Sequence, residues 1–237
     1  MPDGAYLALN GLRTRLAELD SLAADLANVG TTGYKRARTS TYGSERATFD
    51  RVLQKATDPT LGVSKIDMRS GDISASGRDL DFAIEKNGFF EIETPNGTRY
   101  TRNGSFDRRS DGTLVTGDDM PVLGENGAIQ LGNGQILVET DGTILVDGKA
   151  AGKLNIVDAE PGASISREGS SRFRIDNVTP LAEPRVRNKA MEHSNVSVVE
   201  AVAQLVSLSR GFDALQRGLV SLMSEVDGRA ISELGRR

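Results

Sequence analysis

The sequence predicts an α+β protein in which a short-stranded all-β domain is inserted between N- and C-terminal amphipathic helices that pair as a coiled-coil-like assembly module. Three observations lead there. Apolar residues recur at steps of three and four near both ends; between them the period drops to two; and asparagine-glycine and aspartate-glycine pairs punctuate the middle. The composition agrees, since 38% hydrophobic and 5% aromatic residues, set against 26 glycines and 26% charged residues, imply a modest core, many turns and a wet surface. The segments expected are an N-terminal assembly helix over 1–30, an extended connector over 31–71, a β-rich domain over 72–180, a second connector over 181–196, and a C-terminal assembly helix with its tail over 197–237.

The N-terminal helix is read from Leu9, Leu12, Leu16, Leu19, Ala23 and Leu26, a helix-packing seam that Gly30 and Gly33 should end. The C-terminal helix should begin beside Ser197, because Ser197 and Glu200 have capping-box spacing. Its stripe runs through Val198, Val202, Leu205, Leu208, Phe212, Leu215, Leu219, Leu222 and Val226, with Gly228 as the expected stop. Beside that stripe Ser207, Gly211, Ala214, Gly218 and Ser221 form a thin one. Either a neighbouring backbone approaches there, or the glycines sit on a solvated face.

In the middle, alternation in "LDFAIE" places Leu80, Phe82 and Ile84 on one strand face and Asp81, Ala83 and Glu85 on the other. From Asn87-Gly88 to Asp147-Gly148, eight Asn-Gly or Asp-Gly pairs supply the positive φ of tight hairpins. The connectors are polar and weakly periodic, and "YKRAR" (Tyr34 to Arg38) reads as a solvated basic patch.

Chemistry is sparse. The chain has no cysteine, which removes disulfides and thiolate ligands, and its single histidine, His193, has no second histidine to share a zinc ion and reads as a surface or capping residue. The pairs Asp79/Asp81 and Asp118/Asp119 read as solvated carboxylates, and "GNGQIL" leads into a strand where a phosphate loop needs a helix. A formal charge of -4 gives no footprint for nucleic acid. No catalytic, cofactor or metal residue is assigned, and neither a nucleic acid nor a small-molecule substrate is expected. The sequence shows no membrane-length apolar run and no cleavable signal peptide, a pattern that fits either a cytoplasmic protein or a substrate of signal-independent export.

Three blocks, in order, carry a resemblance. "LANVGTTGYKR" (Leu26 to Arg36) resembles the ANNLANxNTxG(F/Y)K segment of bacterial flagellar rod and hook proteins; "MEHSNVSVVEAVAQLVSLSRGFD" (Met191 to Asp213) resembles their C-terminal LExSNVxxVxEM signature; and Lys86 to Gly124 is similar to their long β-signature. The start "DGAYLALNG", the "YTRNGS" hairpin and the moderate length are most similar to the proximal-rod members. Ala24, Asp25, Gly30, His193 and Ala201 depart from the family pattern.

The resemblance implies a structural, non-enzymatic subunit of the basal-body rod, spanning the periplasm and transmitting torque. Its implied partners are other rod subunits, adjoining axial proteins and the flagellar type III export apparatus. A distal-rod or hook-type subunit is the alternative, with a β-domain enzyme or binding protein behind it. In the family the terminal helices pack against neighbouring subunits, which implies an interface through Leu9, Leu12, Leu16, Leu19, Leu26, Val202, Leu205, Arg210, Gly211, Phe212, Leu215, Gly218, Leu219 and Leu222. Two motif clusters join that implied interface: Asn28, Thr32, Gly33, Tyr34 and Lys35, and Ser194, Asn195 and Val196. The segment after the first helix is expected to contact subunits rather than a core of its own. Short helices with unburied stripes are also expected to be largely unfolded in the monomer and completed by assembly.

Overall fold

The computed structural model describes residues 2–39 and 64–234; of the helix side chains, it describes those from residue 11 in the first helix and up to residue 220 in the second, except 215 and 219. Two compact units result. One combines Met1–Ala27, Ala37–Lys65 and Ser197–Arg237, and the other combines Asn28–Arg36 with Ile66–Val196.

The first unit is built on two helices. Helix α1, Pro2–Ala27, opens on a proline whose fixed φ suits a first helical position. It stops ahead of the expected Gly30, because the chain turns at Asn28, whose carbonyl accepts from Thr31 N at 3.0 Å and whose side chain accepts from the Thr31 hydroxyl at 3.2 Å. Helix α2, Val198–Leu234, starts where the capping residues place it. Ser197 Oγ accepts from Glu200 N at 3.4 Å, and the Ser197 carbonyl takes Ala201 N at 2.9 Å. The expected stop at Gly228 is corrected: the helix runs on to Leu234, since one glycine costs only about 1 kcal/mol and no proline follows it. Strand β1 (Ala37–Thr39) pairs with β2 (Ser64–Ile66) and packs near α1.

The second unit is antiparallel throughout. Its main sheet has the order β15 (Ile165–Glu168), β16 (Arg172–Ile175), β6 (Gly97–Thr101), β5 (Phe89–Thr94), β14 (Ile156–Ala159) and β17 (Val178–Pro180). Adjacent Phe89 and Phe90 of β5 point to opposite faces, so the sheet is covered twice. Phe90 joins Phe82, Ile92, Phe106, Leu114 and Ile144 in the larger core, while Phe89 joins Tyr100, Val157, Phe173 and Ile175 in the smaller. Short hairpins close the larger core: β7 (Phe106–Arg108) with β8 (Leu114–Thr116), β9 (Leu123–Gly124) with β10 (Gly127–Ala128), and the meander β11 (Ile136–Val138), β12 (Thr143–Val146), β13 (Lys149–Lys153). The β12–β13 turn uses Asp147 and Gly148 at φ 48° and 79°, as a two-residue mirror turn requires. Gly104 has a different reason, because a Cβ there would lie 1.7 Å from the Phe82 carbonyl oxygen.

The expected connector over 181–196 instead carries two strands. β18 (Val186–Asn188) pairs with β4 (Phe82–Ile84), and β19 (Ala190–Glu192) pairs with β3 (Ile73–Ala75). Three-residue strands have too little pattern to announce themselves; their partners lie about a hundred residues away. Burial corrects the reading of "LDFAIE". Ala83 and Asp81 are as buried as Phe82, so β4 is covered on both faces. Asp81, expected in water, accepts from the hydroxyls of Ser76 and of Ser105, the latter at 2.9 Å.

Candidate functional site

Two features rise out of this fold: an incompletely covered helix pair and a buried polar junction. In the helical unit, α1 and α2 pack along each other, and Leu19, Leu205, Val206, Ser209 and Arg210 line one shallow groove. Leu12, Leu19, Leu26, Leu205 and Phe212 are half-buried. Leu16, Val202, Val206 and Val220 are exposed at 47%, 41%, 45% and 62%, so the apolar surface exceeds what one partner helix covers. Around the thin stripe, a Cβ added at Gly211 or Gly218 meets nothing within 4 Å among the described residues, and Arg210 is exposed. The side chains of Leu9, Leu215, Leu219 and Leu222 lie outside the described residues. Asp25, a departure from the family pattern, is buried and accepts from Ala37 N at 3.2 Å, which fastens β1 to the end of α1.

The junction lies in the β unit, where the two motif clusters meet. The Lys35 ammonium and the Glu192 carboxylate form a hydrogen-bonded ion pair with both side chains sealed from solvent. Arg102, also buried, brings Nε to 2.9 Å from Glu192 Oε2, and its Nη1 donates to the carbonyls of Lys86 and Gly88 at 2.8 and 2.7 Å. Lys35 donates a second bond to the Arg69 carbonyl at 2.9 Å. Burial pulls the Lys35 pKa below its ordinary 10.5; the adjacent Glu192 charge pulls it upward again, and Arg102 adds to the lowering. Around this centre, Arg167 stacks on the Tyr34 ring with its guanidinium carbon 4.3 Å from the centroid, and it donates to the Tyr34 hydroxyl at 2.6 Å and to the Lys35 carbonyl.

Asn195 completes the junction. Its Oδ1 accepts from Arg36 N at 2.7 Å, and its Nδ2 donates to the carbonyls of Asp67 and Arg69 at 2.8 and 3.0 Å. Gly33 N donates to the Glu192 carbonyl at 2.8 Å, and a Cβ on Gly33 would strike the Arg102 backbone at 2.4 Å.

These placements divide the sequence-derived site. For Tyr34 and Lys35, the expectation of a segment without its own core is corrected, as is the reading of "YKRAR" as solvated over those two residues: both side chains are internal to the chain. Burial of Lys35 is made tolerable by a carboxylate 157 positions away, a pairing that local composition does not display. Gly33 and Val196 are buried as well, whereas Asn28, Thr32, Ser194 and Asn195 are partly exposed. Glu192, Arg102, Arg167 and Asp67 were not singled out from the sequence. The signal available was positional, since Glu192 lies in the "MEHSN" block and Arg102 in the "YTRNGS" hairpin. His193 is exposed, with Nε2 2.7 Å from Ser74 Oγ.

Comparison with known proteins agrees with the order of the blocks. Residues 83–170 match the family described as the flagellar hook protein FlgE/F/G D1 domain. The whole chain is similar to the flagellar basal-body rod protein FlgF of Rhizobium meliloti (strain 1021), 31% identical with 99% of each chain covered. It is also similar to the protein of that name from Escherichia coli (strain K12), 30% identical over 97% of each chain, and to the flagellar basal-body rod protein FlgG of Bacillus subtilis (strain 168), 30% identical over 88% of this chain and 90% of the relative.

Proposed function

As the chain belongs to the flagellar basal-body rod protein family, and within it is FlgF-like, we propose that it is a proximal-rod subunit whose helical unit is completed by neighbouring axial subunits while its β unit is complete in itself. The role is structural and mechanical: a member of the drive shaft, not an enzyme. The observation that carries the reading is the apolar surface left open on α1 and α2, at Leu16, Val202 and Val206, in helices of which none among the described residues is long and apolar enough to cross a membrane. Apolar surface of that kind, arranged along a helix, favours association with another helix. The exposed thin stripe through Gly218 offers the same neighbour a close backbone approach.

The interface proposed therefore uses Leu12, Leu16, Leu19, Leu26, Val202, Leu205, Arg210, Gly211, Phe212 and Gly218, joined by the exposed Val206, with Leu9, Leu215, Leu219 and Leu222 continuing the two stripes. Asn28, Thr32, Ser194 and Asn195 belong to it through their partly exposed surfaces; Gly33, Tyr34, Lys35 and Val196 support it from beneath. Partners are other rod subunits and adjoining axial proteins, and the chain reaches the periplasmic rod through the flagellar type III export apparatus without cleavage of a signal. Similarity to a FlgG protein supports a distal-rod subunit as the second reading.

Quantitative mass spectrometry on purified basal bodies tests both. A few copies per particle, retained after hook and filament are removed, is the expected result; a copy number matching the distal-rod protein favours the second reading; absence from the particle overturns both.

A further inference from the structure

The boundary between the two units is crossed by the chain four times, at Ala27/Asn28, Arg36/Ala37, Lys65/Ile66 and Val196/Ser197. We infer that the Lys35–Glu192–Asn195 junction is a clamp that binds the three chain segments serving these crossings, Asn28–Arg36, the stretch following Ile66 and the stretch ending at Val196, so that load leaving the β unit is shared among them. Every pair of segments is tied directly. The first and second are joined by Asp67 N to the Arg36 carbonyl at 2.9 Å and by Lys35 Nζ to the Arg69 carbonyl at 2.9 Å. The first and third are joined by the Lys35–Glu192 pair, by Gly33 N to the Glu192 carbonyl at 2.8 Å and by Arg36 N to Asn195 Oδ1 at 2.7 Å. The second and third are joined by Gly71 N to Glu192 Oε1 at 3.0 Å and by Asn195 Nδ2 to the Asp67 and Arg69 carbonyls.

The chemistry suits a clamp better than ordinary packing. Apolar contact is non-directional and lets segments slide, whereas a buried ion pair and a side-chain amide bridging two backbones hold only in one register. The arrangement also stands apart from the apolar cores of the β unit, both of which are assembled from other buried residues. The mechanical purpose rests on the rod reading; the clamp itself does not.

The test is residue-resolved amide exchange on the purified full chain, comparing wild type with Asn195→Ala. The expected result is exchange accelerated by about tenfold or more at Arg36, whose N–H loses its Asn195 acceptor, the scale of losing one such hydrogen bond. Asp67 is also accelerated, because its N–H bond to the Arg36 carbonyl opens as the freed segment moves, and Phe90 and Phe173 in the central strands stay unchanged within about twofold. Uniform acceleration across the β unit, or no change at Arg36 and Asp67, overturns the clamp. Asn195→Asp serves if the alanine variant does not fold: it keeps the acceptor for Arg36 N and loses the donor to the Asp67 and Arg69 carbonyls. Arg36 should then stay protected while Asp67, whose own N–H is held by the Arg36 carbonyl, loosens as the second segment comes away from the third. Equal behaviour of the two amides in that variant overturns the inference. Because exchange is read on the isolated chain, this result is independent of whether the protein enters a rod.

Discussion

The helical unit and the β unit solve the problem of a small core in opposite ways. The β unit uses both faces of one sheet, fills them from side chains spread over a hundred residues, and pairs the buried charges of Lys35, Arg102 and Glu192 with one another. The helical unit has two long helices with apolar residues left at the surface, and the Ser197 cap and the Asp25 bond to Ala37 are among the polar contacts of its described residues. The lesson is that a chain can carry its stability in one region and its capacity to associate in another. Helices of this kind gain most of their stability from tertiary partners rather than from propensity, so the proposed interface predicts that a neighbour sets how far they are ordered.

The contrast can be broken most severely from inside the β unit. Phe106 is fully buried, with ring centroids 5.8 Å from Phe82 and 5.2 Å from Phe90. Phe106→Ala should cost about 3–5 kcal/mol in chemical denaturation of the β unit. Glu192→Ala should cost a comparable ~3–5 kcal/mol by leaving Lys35 and Arg102 buried without their carboxylate, and Glu192→Gln should recover part of that loss.

Acid weakens the same unit by a separate route. The Asp111 and Asp141 carboxyls lie below their ordinary 3.8 chiefly because the backbone N–H groups of Thr113 and Thr143 donate to them. A carboxyl with a depressed folded pKa binds fewer protons when folded, so its stabilisation is full above pH 3.8 and is lost as pH falls through the lower folded value. Denaturation midpoints of the β unit should therefore hold above about pH 4 and fall below it; replacing both aspartates by asparagine should flatten that decline.

The smallest effect on the isolated chain is the largest on assembly. Val206→Asp places a charge on an already exposed site, so monomer stability should change by no more than ~0.5 kcal/mol, while incorporation into basal bodies and swimming are lost. Normal incorporation of that variant would remove Val206 from the proposed interface.

Much of this was legible in the sequence. The Ser197 start of α2 and the Asp147-Gly148 turn follow from local rules that a few adjacent residues satisfy. The junction did not, because a buried lysine looks like any other lysine until its carboxylate is known, and Glu192 lies 157 positions away on a strand of three residues. Asp81 was misread for a related reason: alternation describes a strand with one wet face, whereas here both faces are buried and the Asp81 carboxylate is met by the hydroxyls of Ser76 and Ser105. The extension of α2 past Gly228 shows the limit of single-residue punctuation.

Hydrogen exchange followed by mass spectrometry, on the monomer and on rods containing the protein, compares the two regions directly. Peptides from α1 and α2 should exchange fast in the monomer and slowly in the rod, while peptides from β5, β6 and β16 stay slow in both. Helices as protected in a verified monomer as the central strands would contradict completion by neighbouring subunits.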